Sequence, residues 1–215
     1  EAWLREAGAE VVSVDAFEQP LRALGGESFT VLKAEFRQGI NAYLARAQGA
    51  FRGKTLADLI AFNEAEASRE LARFDQDIFE ASEALGPLRA DEHAARVARL
   101  REAARSGTLD ALLEANDAAL IIAPSGPLAP PVDLVNGDVW PAWLGLGSAA
   151  AIAGYPHLTV PLGTLEGVPL GLSFLATAGQ DALVLRAGYA LEQRRGPPPR
   201  PAFHPTAPVS WGPPE

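Results

Sequence analysis

Four short apolar runs in this 215-residue chain, 9–14, 118–123, 158–162 and 168–175, read as strands. Between the first and second lies a long block whose apolar residues recur at helical spacing. Helices first and a few strands afterwards is the pattern that most constrains the fold. So few strands do not close a stable sheet unaided, so they read as part of a larger one. The expected class is α/β, a mixed β-sheet core flanked by helices, with a helical block at 27–116.

The start of the chain supports the same reading. Glu1-Ala-Trp-Leu-Arg-Glu-Ala-Gly8 has the look of the last turns of a helix with its glycine stop. A strand at 9–14 follows directly, and there is no methionine in the chain. A helix running straight into a strand suggests a cut inside a longer α/β chain. The expected division is 1–26 as strand and connection of the core, 27–116 as helical block, 117–196 as the strand-rich part of the core, and 197–215 as a Pro-rich tail.

Within the helical block, Phe29, Leu32, Phe36, Ile40, Tyr43 and Leu44 mark one amphipathic helix. Thr55-Leu-Ala-Asp58 has the form of a capping box and opens a second, with Leu56, Leu59 and Ile60 inward. Leu71, Phe74, Ile78 and Leu85 mark a third, stopped by Gly86-Pro87. In the segment 89–105, Ala90, Ala94, Val97, Leu100 and Ala104 share a face, and Glu92 can pair with Arg96. Thr108 is the expected N-cap of a short helix that follows. Further on, small residues at 145–154 can form a tightly packed helix. The runs 158–162 and 168–175 read as paired strands, and 181–193 reads as a closing helix with Leu183, Ala187 and Leu191 on one face.

Composition excludes several classes. The formal net charge of −9 repels phosphate backbones and anionic lipid, so neither nucleic acid nor membrane is an expected partner. No apolar run reaches membrane-spanning length. Cysteine is absent, which excludes disulfides and thiolate chemistry. No secretory signal opens the chain, and the expected location is cytoplasmic.

A search for chemistry is mostly negative. No GxSxG elbow, P-loop or GxGxxG motif follows a strand. None of the three histidines, His93, His157 and His204, has metal-ligand spacing, so no metal and no cofactor is expected. His93 lies on a helix that looks exposed and reads as solvated. His157 opens a strand, where sites on α/β sheets gather. A Ser125–His157–Asp133 arrangement can be drawn, but nothing in the spacing supports it, and a structural histidine satisfied by backbone is favoured. Asp75 and Asp77 face different ways on a helix, which weakens any paired-carboxylate reading.

Taken in order, several stretches resemble the amidase signature family. The most specific is Ala149-Ala-Ala-Ile-Ala-Gly-Tyr-Pro-His-Leu-Thr-Val-Pro-Leu-Gly163, continued by Gly167-Val-Pro-Leu-Gly-Leu-Ser-Phe-Leu175 and Leu183-Val-Leu-Arg-Ala-Gly-Tyr-Ala-Leu-Glu-Gln193. Upstream, Asp117-Ala-Ala-Leu-Ile-Ile-Ala-Pro-Ser125 resembles the family's strand ending in Pro-Thr or Pro-Ser. Asn41-Ala-Tyr-Leu44, Thr55-Leu-Ala-Asp-Leu-Ile-Ala-Phe-Asn63 and Phe74-Asp-Gln76 look like the branch that includes peptide amidases. Each string is soft; their order along nearly the whole chain is what is specific.

The resemblance implies a hydrolase that converts a carboxamide to carboxylate and ammonia through a serine–cis-serine–lysine triad. In that family the triad and its Gly/Ser-rich oxyanion segment lie in the N-terminal half. This chain has no Ser-Ser pair, and its two lysines, Lys33 and Lys54, match no catalytic setting. No catalytic residue is carried over. The expectation is therefore a C-terminal part of an amidase, inactive alone, whose partners are a small amide substrate and either the missing N-terminal half or a second copy. Tentative pocket-wall residues are Gln76, Pro124, Ser125, Ser148, Tyr155 and His157. An asparagine that family members often carry near the end of the small-residue helix is replaced here by Ala151. Two other readings stay open: a non-catalytic interaction module from a truncated gene, and the amidase subunit of a tRNA-dependent amidotransferase.

Overall fold

A computed structural model describes residues 1–14, 20–133, 135, 137, 145–198 and 200. In chain order it holds α1 (Ala2–Glu6), α2 (Pro20–Ala23), α3 (Gly25–Arg46), α4 (Leu56–Ala65), α5 (Ala67–Glu70), α6 (Asp77–Leu85), α7 (Ala90–Ala104), α8 (Asp110–Ala115), β1 (Ile121–Pro124), α9 (Gly147–Ala153), β2 (His157–Leu165), β3 (Val168–Leu175) and α10 (Asp181–Arg195). They fall into two compact units, Glu18–Thr108 and Glu1–Phe17 with Leu109–Glu215. The Pro-rich tail lies outside the described residues except for 197, 198 and 200.

The first unit is all helical, with α4, α6 and α7 packed on α3. Thr55 opens α4 with the expected capping box. Its hydroxyl accepts from the Asp58 N–H, and the Asp58 carboxylate accepts from the Thr55 N–H at 2.8 Å. The next α4 donor, the Leu56 N–H, goes to the Asn41 side-chain oxygen on α3 at 2.8 Å. Cross-helix polar contacts finish the arrangement: the ion pairs Arg37–Glu83 at 2.9 Å and Arg99–Glu27 at 2.7 Å, and the His93–Glu35 hydrogen bond at 2.8 Å.

Several expectations need correction here. The inward residues of α3 are Val31, Ala34 and Leu44, whereas Phe29, Leu32 and Tyr43 are exposed. Of the expected face, Leu44 is buried and Phe36 and Ile40 are half-buried, with the Phe36 ring 5.3 Å from that of Phe79 on α6, so the period was right and the face only partly so. The third helix begins only at Asp77, after a break at 71–76, and Phe74 is exposed. His93 is half-buried and paired with Glu35 rather than solvated. Thr108 caps nothing: it is buried, and its hydroxyl donates back to the Ala103 carbonyl at 2.7 Å.

In the second unit the strands form one antiparallel sheet in the order β1–β3–β2. β2 and β3 are joined by Glu166-Gly167, with φ of 51° and 81°. Two positive φ values in a two-residue loop make the hairpin turn whose twist matches the strands, and glycine takes the second without strain. The proline at 161 sits in β2 beside a bulge between Pro161 and Gly163, at a sheet edge where a missing donor costs least. The expected strand at 9–14 is not one. Its backbone has no ladder partner among the described residues, and the Val11 carbonyl instead accepts from the Arg5 guanidinium at 2.9 Å.

One sheet face carries the core. Val160, Phe174, Ala176, Val184 and Leu191 are buried together, with Leu158, Ile122 and Leu172 against them. α10 contributes Val184, Gly188 and Leu191, close to the expected stripe. Gly188 stands mid-helix because a Cβ there would lie 2.4 Å from Leu158 Cδ2. The helix at 110–115, counted above with the helical block, belongs to this unit, where Asp110 accepts a hydrogen bond from Tyr155.

Candidate functional site

Side chains of a strand alternate between faces, so β3 divides its residues cleanly. Leu172 and Phe174 enter the core against α10, while Gly171, Ser173 and Leu175 lie on the opposite face. Ser173 is paired in register with Ala123 on β1 and Thr159 on β2. Ser125 lies just past β1, and its N–H donates to the Gly171 carbonyl at 2.9 Å, which continues the ladder by one residue.

These positions bring four polar side chains into one connected chain. Ser173, only 1% exposed, donates its hydroxyl proton to Ser125 Oγ at 2.9 Å. Ser125 Oγ donates to Thr159 Oγ1 at 3.3 Å. On the other side, His157 Nε2 lies 2.6 Å from Ser173 Oγ. Which of the two donates follows the imidazole tautomer, and a neutral ring serves either way. Burial holds the His157 imidazole below its ordinary 6.5, which favours this neutral form.

Glycines let the surrounding backbone close on the cluster. A Cβ at Gly171 would lie 2.8 Å from both Ser125 Oγ and Thr159 Cγ2. One at Gly145 would lie 2.6 Å from the Ser125 carbonyl oxygen, and one at Gly147 would lie 3.1 Å from His157 Cε1. The helix α9, which carries Gly147, ends in a left-handed Gly154 at φ 69°. The Tyr155 N–H donates to the Ala150 carbonyl and the Gly154 N–H to that of Ala151, which closes the helix and aims Tyr155-Pro-His157 into β2.

The six wall residues named from the sequence are distributed as follows. Ser125 and His157 join through Ser173. Pro124 ends β1 and is exposed, and Ser148 is exposed on α9. The Tyr155 hydroxyl donates to the Asp110 carboxylate, at 2.8 and 3.0 Å. Gln76 belongs to the helical unit, where both ends of its carboxamide are used. Its oxygen accepts from Asn63 at 3.1 Å, and its nitrogen donates to the Ile60 carbonyl at 3.3 Å. His157 is satisfied by a side chain, Ser173, rather than by backbone or by Asp133, whose carboxylate accepts from the Val135 N–H. Sequence reasoning missed Ser173, whose one local signal is that it is the lone hydroxyl in an apolar strand.

Neither lysine meets a serine. Lys33 Nζ sits 4.9 Å from the centre of the Phe29 ring, and Lys54 pairs with Asp58 at 3.8 Å. Both lie in the helical unit, on exposed or half-exposed surface.

Comparison with known proteins agrees with this architecture. No family model matches the sequence. A probable amidase of Arabidopsis thaliana is 31% identical over 170 residues, which is 78% of this chain and 29% of that protein. The structure of native peptide amidase from Stenotrophomonas maltophilia superposes with a TM-score of 0.78 at 34% identity, over 90% of this chain and 38% of that one. The A subunit of glutamyl-tRNA(Gln) amidotransferase from Gluconobacter oxydans is 28% identical over 212 residues, 94% of this chain and 40% of the subunit. The chain thus spans 29% to 40% of the length of these three relatives. Taken with the fold, these likenesses make the chain a member of the amidase signature family, of the peptide amidase type.

Proposed function

We propose that this chain is the C-terminal part of an amidase that hydrolyses a carboxamide to carboxylate and ammonia. The observation that carries the reading is the 34% identity and common fold with a peptide amidase over 90% of the chain, which accounts for only 38% of that enzyme. The nucleophilic serine, the bridging serine, the lysine and the oxyanion segment are then supplied by the remaining part of the complete enzyme. Two features support that assignment. The sequence holds no adjacent serines, and its two lysines are engaged elsewhere, Lys33 over the Phe29 ring and Lys54 with Asp58.

In this reading the chain completes the sheet and walls one side of the amide pocket, with Pro124, Ser125, Ser148, Tyr155 and His157 as the candidate wall residues. The partner is the catalytic half or, in its absence, a second copy, and the enzyme works in the cytoplasm. Ammonia release from a C-terminally amidated peptide tests the proposal. Turnover is expected from the complete gene product and none from residues 1–215 alone. Turnover by the isolated chain, lost in Ser125→Ala or His157→Ala, overturns it.

The likeness to an amidotransferase A subunit favours a second reading with the same bond chemistry. Ammonia transfer to a charged tRNA, with no free ammonia from simple amides, decides for it. A coding sequence upstream that lacks a lysine and paired serines decides instead for a non-catalytic interaction module.

A further inference from the structure

The helix α3 has two apolar faces. Val31, Ala34 and Leu44 turn inward. A second strip runs along the helix through Phe29, Leu32, Phe36, Ile40 and Tyr43. At about 100° per residue these five fall within about 40° of Phe36 on either side, over about 21 Å of helix. Phe29, Leu32 and Tyr43 are 43%, 53% and 66% exposed, and Phe36 and Ile40 are half-buried. Gly39 borders the strip, and a Cβ there would meet nothing within 4 Å. A glycine inside a helix weakens it, and no close neighbour within the chain requires this one.

The spacing selects the occupant. Counted from Phe36, the strip has side chains four and seven residues away in both directions, so it reads the same forwards and backwards. A two-fold interface needs that property, because each residue must be answered by the residue that it answers. We propose that this strip is a self-association surface, on which a second copy of the chain lays its own α3 antiparallel. Phe29 then faces Tyr43 of the second copy, Leu32 faces Ile40, and Phe36 faces Phe36, while Gly39 leaves room beside Leu32 of the second copy. α3 carries Lys33, Arg37 and Arg46 against Glu27 and Glu35, and both carboxylates are already bonded, to Arg99 and His93. Little of the chain's net charge of −9 is therefore concentrated at the contact. Paired in this way the strip and its rim bury about 1,000 Å² in total, the low end for a specific contact, which makes the dimer weak and dependent on concentration. A surface for a dissimilar partner has no need of the symmetry. The inference does not use the amidase reading.

Sedimentation of the 215-residue chain tests the proposal and should show a monomer–dimer equilibrium with a dissociation constant on the order of 10 µM. Leu32→Glu and Tyr43→Glu, both at exposed positions, should keep the helical circular dichroism and weaken association at least about tenfold. The chain has no cysteine, so introduced cysteines report the register. A mixture of Phe29→Cys and Tyr43→Cys should form a disulfide-linked dimer of one with the other. Neither variant alone should, because like ends of an antiparallel pair lie about 21 Å apart. A chain that stays monomeric at roughly 100 µM overturns the proposal, and the strip is then left for the remaining part of the enzyme to cover. A dimer indifferent to both glutamate substitutions overturns it too. So does cross-linking of like with like, which means a parallel pair, or no mixed cross-link where both cysteine variants still dimerise. Failure of the complete enzyme to release ammonia sinks the amidase reading and leaves these measurements untouched.

Discussion

The helical unit and the sheet unit solve the same problem by different means. In the sheet unit, large apolar side chains from two layers interlock, with Phe174, Val160, Val184 and Leu191 as the centre. In the helical unit the fully buried positions are few and include a serine, Ser82, whose hydroxyl bonds back to the Ile78 carbonyl at 2.6 Å. Its helices are tied instead by polar struts: Arg37–Glu83, Arg99–Glu27, Asn41 to the Leu56 N–H, and Gln76 between Asn63 and Ile60. Meanwhile Phe29, Leu32, Phe51, Phe62, Phe74 and Ile78 stand exposed. Buried apolar area gives larger and less geometry-dependent stabilisation than hydrogen bonds and half-exposed ion pairs, whose net worth is about 1 kcal/mol or less each. The lesson is that a motif can be specific without being chemical. Asn41, Asn63 and Gln76, which lie in the stretches that mark the peptide amidase branch, serve here as braces of the helical unit.

The contrast can be broken where it is sharpest. Phe174→Ala removes the central ring of the sheet core and should cost about 3–5 kcal/mol. Urea unfolding followed by probes in each unit should show the loss in the sheet unit; an equal shift of the helical unit would mean the two share one core. Gly188→Ala comes next. Helix propensity alone predicts a gain of about 1 kcal/mol, but the new methyl meets Leu158 at 2.4 Å. Overpacking should win, with a net loss of about 1–2 kcal/mol in thermal melts; a stabilised variant would refute that contact.

Thr55→Ala probes the helical unit, where one cap should matter less than one core ring. About 1 kcal/mol is expected, read from chemical denaturation of that unit. The smallest effect concerns pH. The His157 imidazole is held below 6.5 by burial, so the folded chain protonates less readily than the unfolded one. Between the two pKa values the unfolded state binds more protons, and stability therefore rises with pH there. Acidification below about 6.5 should lower the melting temperature of the sheet unit slightly, and His157→Gln should flatten that slope. A slope unchanged by the substitution places its origin elsewhere.

Much of the fold was legible because it is encoded locally. The Thr55–Asp58 box, the stop at Gly86, the small-residue helix before Gly154 and the turn at Glu166-Gly167 each depend on residues within a few positions of one another. Half of the hydroxyl–imidazole cluster was legible too, since Ser125 and His157 stood out beside proline at the edges of apolar runs. Ser173 did not, because it lies 48 residues from Ser125 and 16 from His157, and only the pairing of β3 with both neighbours brings them within reach.

Sequence alone determined that helices precede strands, where most of them begin and end, and which family the ordered motifs resemble. Tertiary structure decided which face of α3 is inward, that residues 9–14 make no ladder, that Gly188 exists to admit Leu158, and that a histidine is answered by a buried serine. The physical reason is the same in each case. Period and capping are short-range properties of the chain, whereas the phase of a helix, the pairing of a strand and the partner of a buried polar group are set by whatever surface arrives opposite.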